Sequence, residues 1–287
     1  MTPTLVQHHP SAGSAPRGPR ARARARDWAE IQERMLVPLY EAVYERLEVG
    51  PATRLLGLGC GAGLALFVAA SRGARVAGVD SDPARIALAR TRLRGDGTSE
   101  GRGGADVAEA VLCGGPSATA GAGVAPYNLV TAFEPIGCAA GDTDDLTPAL
   151  HDAVALAGRG SAVVLTGWGP PERCATAAVL RVACRLTDPL RTSGGWRQTL
   201  RDDLEDMAAR TGLRPDGSGR VACPFGYGDM DSAVRGLLST GLFDAAASAT
   251  DPGQVEKELV EALHPFLRGD GTVWMPNVFR YLIARKP

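Results

Sequence analysis

The chain has 287 residues and a formal net charge of −1, which fits one large α/β domain with appendages better than two full domains. The balanced charge excludes a global field that would steer the protein to nucleic acid or to an anionic lipid surface. Six cysteines contain no C-x-x-C pair, so neither a zinc site nor a redox pair is suggested. Scattered thiols, no apolar run near the roughly 20 residues of a membrane span and no signal-peptide core together predict a cytoplasmic protein.

Residues 1–26 are Pro-, Ser-, Gly-, His- and then Arg-rich, and are expected to form a disordered tail. The alternating arginines Arg20, Arg22, Arg24 and Arg26 lack interleaved aromatics and read as a solvated helix lead-in rather than a nucleic-acid surface. Asp27 and Glu30 have the spacing of a capping box, which predicts a helix from Trp28 toward Val37. Pro38 breaks or restarts it, and Leu39, Val43 and Leu47 share one face of the second segment. These residues, 27–50, form a predicted helical lid. The core is expected over 51–228, with strands at 54–58, 75–79, 107–112, 127–133, 161–166 and 219–223. Helices are expected at 62–72, 83–93, 145–156, 172–187 and 198–211. A last strand is predicted at 278–284 within 276–287, and 229–275 read as a helical cap inserted before it.

One stretch dominates the reading. An apolar strand, Leu55-Leu56-Gly57-Leu58, runs into Gly59-Cys60-Gly61-Ala62-Gly63. A helical segment follows, then a second strand, Val76-Ala77-Gly78-Val79, ending in Asp80. Glycines at 59, 61 and 63 let the backbone approach a ligand where side chains would collide. The helix N-terminus then presents free amide groups to an anionic group. A carboxylate at the tip of the second strand can accept hydrogen bonds from both hydroxyls of a ribose. The arrangement suits an adenosine-bearing cofactor. A dinucleotide fingerprint needs Gly or Ala at the third position, where Leu64 stands, so a nicotinamide cofactor fits poorly.

The G-x-G-x-G spacing resembles motif I of the class I S-adenosylmethionine-dependent methyltransferases. Further segments are similar to that family in order. They are Arg26 to Glu33 for the N-terminal helix, as in a mostly actinobacterial small-molecule subgroup, and Tyr127 to Phe133 for strand four. Val164 to Gly169 resembles strand five and its loop, and Cys223-Pro224-Phe225 with Pro276 to Tyr281 resemble strands six and seven. The resemblance covers about residues 26–287. It implies a Rossmann-like fold with a seven-stranded, mostly parallel sheet and an antiparallel last strand. It implies S-adenosylmethionine as cofactor, held by Gly59, Cys60, Gly61, Gly63, Asp80, Ser81 and Phe133. Asp106 is the candidate for the adenine-facing acid, with Glu109 as alternative. Trp28 and Trp168 are the candidates for a substrate pocket, and Glu134 for orienting or deprotonating the acceptor. Glu134 reads equally as a loop acid. The acceptor is expected to be a small molecule, of the secondary-metabolite class. Neither a metal nor a membrane is expected.

One departure stands out. The family usually carries an acid where this chain has Gly57. Loss of one charge-assisted hydrogen bond weakens binding by about 1–2 kcal/mol. Together with the eroded third strand, this motivates a rival reading: the fold retained without methyl transfer, serving another reaction or a regulatory role.

Overall fold

A computed structural model describes residues 18–94, 108–120, 125–136, 142–187 and 202–287. The chain opens with helix α1 (Pro19–Asp27), continues without a break through a π-helical turn (Trp28–Gln32) and a 3-10 turn (Glu33–Leu36), and enters α2 (Val37–Arg46). This corrects two expectations. Arg20 to Arg26 lie in a helix, as their reading as a helix lead-in implied, so the disordered tail does not extend to residue 26; alternating Ala and Arg are strong helix formers and Pro19 suits a first helical turn. Asp27 is not an N-cap. Its backbone is helical (φ −57°, ψ −40°) without a capping bond, and its carboxylate instead accepts from Arg235 at 2.6 Å.

The core alternates strands and helices: β1 (Arg54–Leu58), α3 (Leu64–Ser71), β2 (Arg75–Asp80), α4 (Pro83–Arg94), β3 (Ala108–Cys113), β4 (Tyr127–Ile136), α5 (Asp142–Leu156) and β5 (Ala157–Trp168). After α6 (Thr176–Thr187) and α7 (Asp203–Arg210) comes β6 (Arg214–Ala222). The short strands β7 (Phe225–Tyr227) and β8 (Val273–Met275) pair antiparallel. They enclose α8 (Met230–Ser239), α9 (Asp244–Ala249) and α10 (Pro252–Leu263), and β9 (Val278–Arg285) closes the chain.

The seven-stranded sheet has the order β3-β2-β1-β4-β5-β9-β6. Its first five strands are parallel, and β9 runs antiparallel to both β5 and β6. The Rossmann-like fold with an antiparallel last strand is therefore present. Every residue of β1 is buried, as a parallel strand covered on both faces must be. Alternate residues feed two cores. Leu55 joins α2, α3 and α4 on one side, whereas Leu56 and Leu58 join Leu150 of α5 and Met207 of α7 on the other.

Strand β6 starts five residues before the expected position, because β9 pairs with it from Arg214 onward. As an edge strand it tolerates Pro215 beside a register shift. Gly219 is required there: a Cβ would meet the Tyr281 ring closer than atoms can approach.

Candidate active site

The carboxyl ends of β1, β2 and β4 meet at the point where the strand order reverses, the place where open α/β sheets bind ligands. The turn after β1 carries Gly59, Gly61 and Gly63 with φ of +56°, +55° and +82°, a left-handed backbone that favours glycine. Asp80 ends β2 and is buried. Its Oδ2 accepts from the Gly61 amide at 2.9 Å and its Oδ1 from the Asp82 amide at 2.8 Å. An ionised carboxylate offers about four acceptor positions, so capacity for further donors remains.

Two spaces adjoin the turn, and a third lies beyond Trp28 and Glu134. A cleft of about 530 Å³ is bordered by Gly59, Asp80, Ser81, Asp82, Glu134 and Leu146. A space of only about 20 Å³ lies between Gly57, Gly61, Trp28, Glu33, Tyr40 and Phe133. A third, of about 60 Å³, is walled by Trp28, Leu36, Trp168, Phe225, Leu237 and Phe279. Glu134, at the end of β4, borders all three. A Cβ on Gly59 would stand 3.3 Å from Glu134 Oε2.

The smallest space is small because the chain fills it. Glu33 is 2% exposed, and its Oε1 accepts from the Leu64 amide at the N-terminus of α3, at 3.2 Å. Its Oε2 pairs with Arg92 Nη1 at 2.6 Å, and the same Nη1 donates to the Ala62 carbonyl at 2.7 Å. The anion position expected for a ligand is thus held by the chain's own carboxylate. Burial raises the Glu33 pKa against the lowering effect of Arg92. Trp28 lies beside it. A Cβ on Gly61 would stand 2.8 Å from Trp28 Nε1 and 3.0 Å from Glu33 Oε1. The Trp28 Nε1 is buried without a hydrogen-bond partner among the described residues. Arg85 lies over the indole, 4.2 Å from its centre, and donates to the Ser239 carbonyl at 2.8 Å.

The structure gathers Gly59, Cys60, Gly61, Gly63, Asp80, Ser81 and Glu134 around the turn. Burial, with Asp80 and Glu33 adding to it, pushes the Cys60 thiol far up, so it packs as a neutral group. Phe133 packs against Tyr40 and Tyr44, with centroids at 4.8 and 5.6 Å, and borders the small space rather than the large cleft. Trp28 and Trp168 share the third space. Trp168 lies tilted against Phe279 at 4.7 Å and edge-on to Phe225 at 6.1 Å. Asp106 lies outside the described residues, and Glu109 is placed in β3. His151 and His264 are exposed, and Arg280 pairs with Glu205. Among the described residues, no group of three or more His, Cys, Asp or Glu is placed to hold a metal, and no helix is long and apolar enough to cross a membrane.

Sequence reasoning missed Glu33, Arg92 and Arg85. For Glu33 a signal existed. At helical spacing it shares a face with Leu36 and Tyr40, and an acid on an apolar face is the anomaly worth following.

Residues 56–111 match a protein family described as a methyltransferase domain. No curated protein matches the chain. Among solved structures, one similar chain is a SAM-dependent methyltransferase from Thiobacillus denitrificans in complex with S-adenosyl-L-homocysteine. It has 14% identity and a TM-score of 0.53, over 94% of this chain and 99% of that one. The YcgJ protein from Bacillus subtilis (15% identity, TM-score 0.53) aligns over 86% and 97%. A methyltransferase-like protein from Bacillus halodurans (14%, 0.52) aligns over 86% and 98%. At this identity the likeness establishes the fold.

Proposed function

We propose that the protein is an S-adenosylmethionine-dependent methyltransferase that acts in the cytoplasm on a small-molecule acceptor, of the kind found in secondary metabolism. The observation that carries this reading is Asp80. Its carboxylate ends β2 on the wall of the 530 Å³ cleft, beside a turn of three left-handed glycines. The matched methyltransferase-domain segment spans that same turn and acid. A nucleoside fits this half of the site. Asp80 has acceptor capacity for ribose hydroxyls, and Ser81, Asp82 and Pro116 border the remainder. The half over Gly61 is covered by Trp28 and Glu33, so the amino-acid end of the cofactor fits only once these side chains move.

When bound, the sulfonium supplies an electrophilic methyl group with a neutral leaving group. The protein's task is then positioning and exclusion of water. Trp28, Trp168, Phe225 and Phe279 wall an apolar space for the acceptor, which at about 60 Å³ has to widen to admit it, and their rings suit a cationic sulfur nearby. Glu134, where that pocket meets the cleft, is placed to orient an acceptor hydroxyl or amine and to take its proton.

Calorimetry with S-adenosylmethionine, S-adenosyl-L-homocysteine and 5′-methylthioadenosine tests the reading. Binding of at least the nucleoside is expected, and no binding of any of the three at millimolar concentration would overturn it. A second reading, nucleoside binding without methyl transfer, is favoured by the filled space beneath Gly57 and Gly61. Transfer of a labelled methyl group to any component of a cell extract excludes it.

A further inference from the structure

The covered half of the cleft has a feature that a generic lid does not explain. Glu33 provides a carboxylate where the N-terminus of α3 attracts an anion, and it is almost completely buried there. Arg92 supplies the counter-charge and ties the pair to the glycine turn through the Ala62 carbonyl. The Trp28 Nε1 lies over Gly61, 2.8 Å from where a Cβ would stand, and has no hydrogen-bond partner among the described residues. An orphaned buried donor of this kind marks either stored strain or a ligand position. The remaining space, about 20 Å³, holds about one water molecule, far less than an amino-acid group. The neighbouring cleft, at about 530 Å³, is ample for a nucleoside.

We propose that Glu33 and Trp28 form an internal stand-in for the amino-acid end of the cofactor, so that the closed cleft accepts adenosine-type ligands lacking that end and admits the intact cofactor only after Glu33 has left the α3 terminus. The proposal rests on the cofactor reading above. Glu33 is then a specificity-determining residue. It separates 5′-methylthioadenosine, which needs only the Asp80 side, from S-adenosylmethionine, which also needs the place that Glu33 holds. The apparent affinity for the intact cofactor is reduced by the fraction of molecules that are open, whereas the nucleoside escapes this reduction.

The test is titration calorimetry on the full chain with 5′-methylthioadenosine and S-adenosylmethionine as probes, using the wild type, Glu33→Ala and Arg92→Met. Glu33→Ala removes the competing carboxylate. Arg92→Met leaves that carboxylate buried without its counter-charge and expels it. Both variants are expected to bind S-adenosylmethionine about tenfold more tightly than the wild type, with nucleoside affinity held within about twofold. An unchanged ratio of the two affinities in both variants overturns the proposal while leaving the cofactor reading intact. Weaker S-adenosylmethionine binding in Glu33→Ala also overturns it, because Glu33 would then hold the cofactor rather than replace it. Binding of neither probe to any of the three proteins overturns the cofactor reading and the proposal together. Should either variant fail to fold, Glu33→Gln replaces it and carries the same expectation, because the uncharged amide is held less strongly by Arg92 and by the α3 terminus.

Discussion

Asp80→Asn isolates the nucleoside half of the site. In the native chain the two carboxylate oxygens accept one backbone amide each, from Gly61 and Asp82. The amide side chain keeps one acceptor oxygen and turns an NH2 toward the other N–H. Whichever way it is oriented, one buried donor faces another donor, a loss of about 1–3 kcal/mol in stability. For a domain of this size that lowers Tm by about 2–10 °C. Binding suffers separately. Hydrogen bonds from ribose hydroxyls to a carboxylate are charge-assisted and contribute about 1.5–3 kcal/mol each. Losing the charge should weaken 5′-methylthioadenosine by about 2–4 kcal/mol, or roughly 30- to 1000-fold. The two readouts come from thermal unfolding without ligand and from calorimetry with it. Because the Asp80 side serves both ligands, the loss is expected to be equal for S-adenosylmethionine and for the nucleoside. A variant that unfolds earlier yet binds both ligands as tightly as the wild type would refute the assignment of Asp80 to the ribose, and would leave it a purely structural clamp on the glycine turn.

Three other outcomes follow from the same geometry. Gly63→Ala is expected to destabilise the fold by about 2–4 kcal/mol, read by chemical denaturation, because φ is +82° and the new Cβ would lie 2.9 Å from Ala89 Cβ and 3.0 Å from its Cα. An unchanged midpoint would show that α3 and α4 can separate freely. Gly57→Asp, which restores the acid usual in the resembled family, is expected to lower stability rather than rescue binding. Its Cβ would sit 2.9 Å from Leu66 Cδ2, and the charge would enter an apolar setting at a cost of several kcal/mol; tighter cofactor binding at native Tm would contradict this. Finally, cofactor affinity should rise with pH. Burial raises the Glu33 pKa above 4.5, Arg92 opposes this, and Tyr40 and Cys60 are the other titratable groups facing it. Only between the ordinary carboxylate value and the raised one does the closed form hold a proton that the open form releases; above that window Glu33 is the ionised partner of Arg92. The stability this proton gives the closed form is fully present below the ordinary carboxylate value and is lost as pH rises through the raised one. Calorimetry across this range should show S-adenosylmethionine binding strengthening relative to the nucleoside, and Glu33→Gln should abolish the trend.

How far the sequence reveals this molecule depends on what kind of burial a segment has. Strands β1, β2, β4 and β5 are covered on both faces, so they read as apolar runs stopped by a glycine or an acid, and their positions were legible to within a few residues. The edge strand β6 was only partly legible. Pro215, Gly217 and Gly219 give it no β-forming pattern, and it exists because β9 lends it a partner. Helix α1 was legible only as a solvated helical lead-in, because Arg-Ala alternation has no apolar periodicity, although its intrinsic propensity is high. At the site, the glycine turn and Asp80 were legible because their chemistry follows from local spacing. Glu33 was not, since its partners Leu64 and Arg92 lie 31 and 59 residues away. Only a fold that lays the N-terminal segment across the turn brings them together.

On the proposed stand-in mechanism, that placement ties the two halves of the candidate site into one opening event. The N-terminal segment is fastened to the insert between β6 and β9. Arg24 pairs with Asp244 at 2.9 Å, Asp27 with Arg235 at 2.6 Å, and the Tyr227 hydroxyl donates to Gln32 at 2.9 Å. The two ion pairs are substantially exposed and contribute at most about 1 kcal/mol each. They set register more than strength. The hold comes from the buried groups, Gln32, Glu33 and Leu36, together with Ile31, whose Cγ2 would stand 2.9 Å from a Cβ on Gly236 of α8. Trp28 walls both the space over Gly61 and the aromatic pocket. On the proposed stand-in mechanism it cannot leave the first without uncovering the second. Departure of Glu33 from the α3 terminus therefore opens the cofactor site and the acceptor pocket together, and reclosure over a bound cofactor has to reseat the Trp28 wall against the acceptor. Loading of the cofactor then controls access of the acceptor through one side chain, without a signal passing through the sheet.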